Sequence, residues 1–225
     1  MKLNQQLLGA AALMVAGFTT ANAQLIISEV HPTGSSSSTY GADWFELSNI
    51  GGSAVDLTGW KMDDSSPTFA TAVALRGVTS IAPGQSVVFL EGKADGSTDA
   101  TITAAFQSAW FGSSVPTGLT LGFYGGSGVG LSSGGDAVNL FDAGGTLVVG
   151  VSFGAATTGT TFDNTAGLSG VISQLSVVGV NGAFDSFTGG EIGSPGVMAV
   201  PEPATFALGA LGFAVMMFRR KAAGR

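Results

Sequence analysis

Cysteine is missing from all 225 residues. That excludes disulfide staples, thiol nucleophiles and thiolate metal sites, so an exported fold has to stand on its packed core. Histidine is almost missing: His31 is the only one. A Ser-His-Asp triad or a histidine metal centre would have to be built on it. Its place between Val30 and Pro32 points instead to capping a strand end or to a local hydrogen bond. Basic charge is scarce in the middle of the chain. Between Gln24 and Ala199 only Lys61, Arg76 and Lys93 are cationic against fourteen acids, a net −11. Such a surface repels phosphate backbones, which excludes nucleic acid as a partner. Long apolar runs are also lacking: none reaches the ~20 residues of a comfortable membrane span.

What is present at the two ends reads as addressing. Lys2, the apolar stretch Leu7 to Phe18 and the small-x-small site Ala21-Asn22-Ala23 occur in the order of a secretory signal. They predict a signal helix over 1–23 and Gln24 as the mature start. At the other end, Val200-Pro201-Glu202-Pro203 precedes an apolar run from Ala204 to Phe218, then Arg219-Arg220-Lys221. Pro201 and Pro203 fix φ and favour an extended backbone around Glu202. The apolar run is short, with Gly209 and Gly212 inside it, but its basic end can snorkel and the bilayer can thin. We expect a sorting segment over 198–225, with a short transmembrane helix at 204–218 in the inner membrane. The basic tail 219–225 stays cytoplasmic by the positive-inside rule, which leaves the body of the protein outside. The competing reading, a buried C-terminal core helix, fits poorly with cations crowded at its end.

The middle, residues 24–197, is large enough for one well-buried domain. Short apolar runs alternate with Gly, Ser, Asn and Asp clusters, the pattern of an all-β sandwich or barrel. Leu25 to Val30 opens with a strand. Trp44 to Asn49 follows, with Phe45 and Leu47 on one face and Trp44 and Glu46 on the other. Ile81-Ala82-Pro83-Gly84 predicts a turn before the buried strand Val87 to Leu90. Ala137 to Phe141 and Thr146 to Val151 form a hairpin around Asp142-Ala143-Gly144-Gly145. Leu119 to Phe123 and Val171 to Val177 are further strands. Ala104 to Trp110 reads as either a short helix or a loop, and strand register over 93–118 and 155–189 is open. Gly34–Ser38 and Gly125–Gly135 read as surface loops.

Several groups have a bearing on chemistry. Asp63-Asp64, and Asp43 with Glu46, are paired carboxylates of the kind glycoside hydrolysis uses across a cleft. Adjacent acids on a strand point to opposite faces, however, and Asp63-Asp64-Ser65-Ser66 suits an Asx turn. Asp95-Gly96-Ser97-Thr98-Asp99 clusters oxygen ligands that Ca²⁺ accepts, and this makes Asp95 and Asp99 the metal candidates. It lacks the EF-hand spacing, and a polar turn explains the same residues. Gly126-Ser127-Gly128-Val129-Gly130 has no following Gly-Lys-Ser/Thr and is no P-loop. Of the three tryptophans, Trp60 reads as core, and Trp110-Phe111 is the one candidate for an exposed sugar platform. No cofactor is expected.

Two resemblances follow from these residues. Ile26-Ile27-Ser28-Glu29-Val30-His31-Pro32, Asp43 to Asn49, and Val55 to Asp64 around Gly59-Trp60 resemble the lamin-tail domain. Gly135 to Asp142 and Gly193-Ser194-Pro195-Gly196 are similar to its second half and closing element. That resemblance implies an immunoglobulin-like β-sandwich without catalytic residues. Val200 to Pro203 with the apolar run and Arg219-Arg220 resembles the PEP-CTERM sorting signal. That implies transient processing by an exosortase in a Gram-negative envelope. The expectation is an exported, non-enzymatic protein of the cell surface or extracellular matrix, structural or adhesive in role. The alternative is a carbohydrate- or Ca²⁺-binding module associated with exopolysaccharide. A hydrolase built on Asp63 is a third reading.

Overall fold

The computed structural model describes residues 24–197. The signal segment, the sorting motif Val200–Pro203, the apolar run 204–218 and Arg219-Arg220-Lys221 lie outside the described residues. Along the chain come β1 (Leu25–His31), a single helical turn α1 (Gly34–Ser37), β2 (Trp44–Asn49), β3 (Val55–Asp56), β4 (Lys61–Asp63) and β5 (Val73–Ala74). Then follow β6 (Ser80–Ile81), β7 (Ser86–Gly92), the helix α2 (Asp99–Phe111), β8 (Leu121–Gly125), β9 (Asp136–Phe141) and β10 (Leu147–Phe153). The last strands are β11 (Phe162–Asp163), β12 (Gly170–Ile172), β13 (Phe184–Asp185) and β14 (Ile192–Gly193).

Two five-stranded sheets face each other, in the orders β11-β1-β2-β7-β8 and β12-β10-β9-β4-β5. The all-β sandwich expected from the strand pattern is what forms. Ile27, Phe45, Leu47 and Phe89 from the first sheet meet Met62, Leu140 and Val151 from the second. Most pairings are antiparallel. The β7–β8 pair is parallel, and a parallel neighbour needs a long crossover connection. The segment carrying α2 supplies it. Ala104 to Trp110, open between helix and loop in the sequence, is therefore helical.

That helix packs on the outer face of the first sheet. Phe106, Ala109 and Trp110 cover Trp44, Val88 and Leu90. With both faces covered, β2 is buried at every residue. The same double burial explains the unbroken apolar run Val87 to Leu90. Trp60, read as core, is buried; Trp110, read as a possible exposed platform, is buried too, only 1% accessible. The sugar-platform reading fails because the apolar stripe of α2 turns inward.

β1 departs from simple alternation. Ile27 and Val30, three apart, both lie in the sandwich core. A bulge between Ile27 and Glu29 inserts Ser28, and one extra residue resets the side-chain alternation. Both polar residues of the bulge, Ser28 and Glu29, bond to side chains on the outer face. Among the described residues no helix is long and apolar enough to cross a membrane.

Candidate functional site

The outer face of the first sheet holds a buried polar network that spans β1, β2 and β7. Glu29 of β1 and Glu46 of β2 stand directly opposite each other. Each is only 1% accessible. Two carboxylates facing each other away from water cannot both ionise cheaply. Burial, and then the charge of Glu46, push the Glu29 carboxyl up to about 8. Burial also raises Glu46, against the hydrogen bonds it accepts.

Hydroxyls stabilise the pair. Ser28 Oγ donates to Glu46 Oε1 at 2.6 Å. Ser28 and Ser48 hydroxyls lie 2.8 Å apart, and Ser48 and Ser86 2.6 Å apart. One proton per hydroxyl allows a head-to-tail relay across three strands, Ser86 to Ser48 to Ser28 to Glu46, ending on the acid. On the other carboxyl, Thr161 Oγ1 donates to Glu29 Oε1. The Thr161 and Ser176 hydroxyls are in turn 2.6 Å apart.

The closing element of the body seals this face. The Ser194 N–H donates to Glu29 Oε1 at 2.8 Å and its hydroxyl to Glu29 Oε2 at 3.1 Å. The Gly196 N–H donates to Glu46 Oε2 at 2.6 Å. Glycine is required at two points of Gly193-Ser194-Pro195-Gly196. A Cβ on Gly193 would stand 2.6 Å from Glu29 Oε1, and Gly196 has φ +75° with Leu119 Cδ1 2.6 Å from where its Cβ would be.

On the same face an aromatic cluster of Tyr40, Trp44 and Trp110 meets Glu191 through the Tyr40 hydroxyl. Tyr40 donates its hydroxyl to Glu191 Oε1 at 2.7 Å. The same oxygen of Tyr40 accepts the indole N–H groups of Trp44 at 3.1 Å and Trp110 at 3.3 Å. Burial and the Glu191 charge push the Tyr40 phenol well above its ordinary range. His31 is fully buried. Its Nδ1 accepts the Thr33 N–H at 3.4 Å, which is the local bond expected of a strand-end histidine. Its Nε2 lies 3.1 Å from Glu191 Oε1, within ion-pair distance but off hydrogen-bond geometry. Among the described contacts no serine or threonine hydroxyl bonds to His31, so a nucleophile–base pair is not assembled there.

The other candidates fall apart into separate local roles. Asp63 is buried and its Oδ2 accepts the Thr68 N–H at 2.7 Å and the Ser66 hydroxyl. Asp64 makes the Asx turn, its Oδ1 accepting the Ser66 N–H at 3.1 Å. Asp95 makes a similar turn onto Ser97. Asp99 meets Arg76 with both oxygens, Oδ2 to Nε at 2.9 Å and Oδ1 to Nη2 at 2.8 Å. Asp95 and Asp99 are thus engaged separately. Among the described residues no group of three or more acidic or histidine side chains could hold a metal ion. An open cleft of about 370 Å³ lies between the α2 N-terminal turn and the glycine loop after β8, lined by Glu91, Lys93, Thr98 and Gly126. Burial and the nearby Asp43 raise Glu91. Asp43 is closed off by Ser35, whose N–H and hydroxyl both bond to it.

Glu29, Tyr40 and Glu191 do not stand out in the sequence as site residues. The signal for Glu29 is its position inside the apolar strand Ile26 to Val30, where an acid has to be buried. Tyr40 and Glu191 meet across 151 residues and leave no local pattern.

The Lamin Tail Domain family model matches residues 19–155, more than half of the chain. The PEP-CTERM protein-sorting motif matches residues 199–221, which include Val200–Pro203 and Arg219-Arg220-Lys221. No curated protein and no solved structure matches. The family match ends just beyond β10. The remainder supplies β11 and β12 to the edges of the two sheets, and the element that seals Glu29 and Glu46.

Proposed function

The chain belongs to the lamin tail domain family and carries an exosortase sorting motif, and on that footing we propose that it is a non-enzymatic protein of the cell surface or extracellular matrix. It is exported behind its N-terminal signal, held in the inner membrane by residues 204–218, processed by an exosortase and released or displayed. Its sandwich, which we read as immunoglobulin-like, then serves a structural or adhesive role. One observation carries the non-enzymatic reading. Among the groups suited to acid–base work, Glu29, Glu46 and His31 are each no more than 1% accessible and bonded within the fold, and the lining of the open cleft offers Glu91 no second carboxylate or histidine to work with. A general acid or base has to come within hydrogen-bond reach of a substrate, and these three are sealed away from one.

The test is to replace Pro201-Glu202-Pro203 with alanines in a host that has an exosortase, then follow the mass and location of the mature protein. Loss of processing and retention in the inner membrane are expected. Unchanged processing refutes the sorting part of the proposal. Calorimetry of the protein with exopolysaccharide and with Ca²⁺ tests the role. Heat of binding, or a rise in melting temperature, would replace the structural reading with a ligand-binding one.

A further inference from the structure

Exposed apolar side chains are unevenly distributed over the body. From Asn164 to Phe184 there is no charged residue, although the body as a whole is strongly acidic. This stretch carries Leu168, Val171, Val177, Val178 and Val180, all exposed, with Val171 76% accessible. Val197, also exposed, is the last described residue before the sorting segment.

These side chains form one rim. Leu168 and Val171 line the same cleft as Asn181. Gly182, the next residue, backs onto Val197: a Cβ there would meet Val197 Cγ1 at 3.0 Å. The Val180 N–H donates to the Val177 carbonyl at 2.9 Å, so the three valines 177, 178 and 180 share one turn. The acid at this rim, Asp163, is buried, with Oδ1 accepting from Thr165 and Oδ2 from Asn181. Asp185 is exposed just past the uncharged stretch.

We propose that this rim is a lipid-contacting surface, which settles into the headgroup boundary of the inner membrane beside the point where the chain enters it. The inference rests on the reading that 204–218 sits in that membrane. Six residues, 198–203, separate Val197 from the apolar run. Fully extended they reach about 20 Å, so Val197, at the edge of the rim, is tethered within that distance of the bilayer. An acidic body is repelled by anionic headgroups within roughly a Debye length of about 8–10 Å. The rim offers apolar area without that repulsion, and it lies against Val197, where the tether begins. Burying isolated valine and leucine side chains at the boundary is favourable in proportion to their apolar area. A second copy of this chain could cover the same side chains, but the tether favours lipid.

The lack of cysteine makes the test clean. Single variants Val178→Cys and Leu168→Cys of the full chain are labelled with an environment-sensitive fluorophore and reconstituted into phosphatidylethanolamine–phosphatidylglycerol vesicles. Ala100→Cys is the water-exposed reference, about 15 Å along the axis of α2 from Trp110. Ala210→Cys reports on the anchor. Blue-shifted emission and several-fold weaker iodide quenching at 168 and 178 than at 100 are expected. Quenching at 168 and 178 equal to that at 100, with 210 shielded, overturns the rim while leaving the anchor intact. If 210 is quenched as well, the anchor reading fails and the rim fails with it. Shielding at 168 and 178 that disappears as protein is diluted into more lipid marks contact between copies, and also overturns it.

Discussion

Glu29 and Ser194 are 165 residues apart, yet both carboxyl oxygens of Glu29 are held by that one serine, through its N–H and its hydroxyl. With Gly196 on Glu46, the closing turn of the body is fastened to its first two strands.

Stability will fall with rising pH because of this pair. Glu29 has a pKa near 8 in the fold against 4.5 in its ordinary state. Between those values the folded chain holds more protons than the unfolded chain, so stability is highest at or below the lower value. It is lost as pH climbs through the window and levels off above about pH 8. Glu46 is raised in the same direction. A tenfold difference in proton affinity between the folded and unfolded chain is worth about 1.4 kcal/mol, so the melting temperature should drop by several degrees between about pH 5 and pH 8. Glu29→Gln should flatten that dependence in melts followed by circular dichroism. An unaltered slope would refute the assignment.

Gly196→Ala should loosen the closing element. It forces a side chain into φ +75° and against Leu119, and positive φ alone costs roughly 1–2 kcal/mol. We expect a lower melting temperature and faster proteolytic cutting in 192–197, with the rest of the sandwich protected. Limited proteolysis with mass spectrometry checks this.

Calcium should leave the melting temperature unchanged. Both oxygens of Asp99 are held by Arg76, and Asp95 is engaged with Ser97. Asp99→Asn should cost about 0.5–1 kcal/mol, as expected for a partly exposed pair. The side chains of Arg76 and Asp99 are 25% and 22% accessible. A calcium-dependent rise in the wild-type melt would contradict the geometry.

All three tryptophans should emit at short wavelength and resist iodide, since Trp44, Trp60 and Trp110 are buried. Trp110→Ala should cost roughly 3–5 kcal/mol, in line with other buried aromatic truncations. It also deprives Tyr40 of one of its two indole donors. Strong quenching of native fluorescence would place one of them at the surface.

The strands legible in the sequence are those with local signatures. Phe45 and Leu47 alternate with Trp44 and Glu46 as the pleat requires, and Asp142-Ala143-Gly144-Gly145 announces the β9–β10 hairpin, where Asp142 Oδ1 accepts the Gly144 and Thr146 N–H groups. The helix is harder to see. Ile102, Phe106, Ala109 and Trp110 do fall at i, i+4, i+7 and i+8, a helical stripe, but Ala104, Ala105 and Phe111 around them blur it. The stretch Val171 to Val177 yields only the short β12 and a single bridge from Leu175 to Phe162. Strands of two residues, such as β11 and β13, leave no period to detect. Of the candidate chemistry, Asp63 and Asp64 are legible as a turn because an Asx bond is local. The Glu29 clamp is not, because its partners come from the far end of the body.

The bulged first strand is flanked on one side by β2 and on the other by β11, which lies some 130 residues later. A chain emerging N-terminus first therefore has β1 in hand long before its second neighbour exists. At neutral pH the burial of Glu29 against Glu46 therefore makes folding draw a proton out of solution.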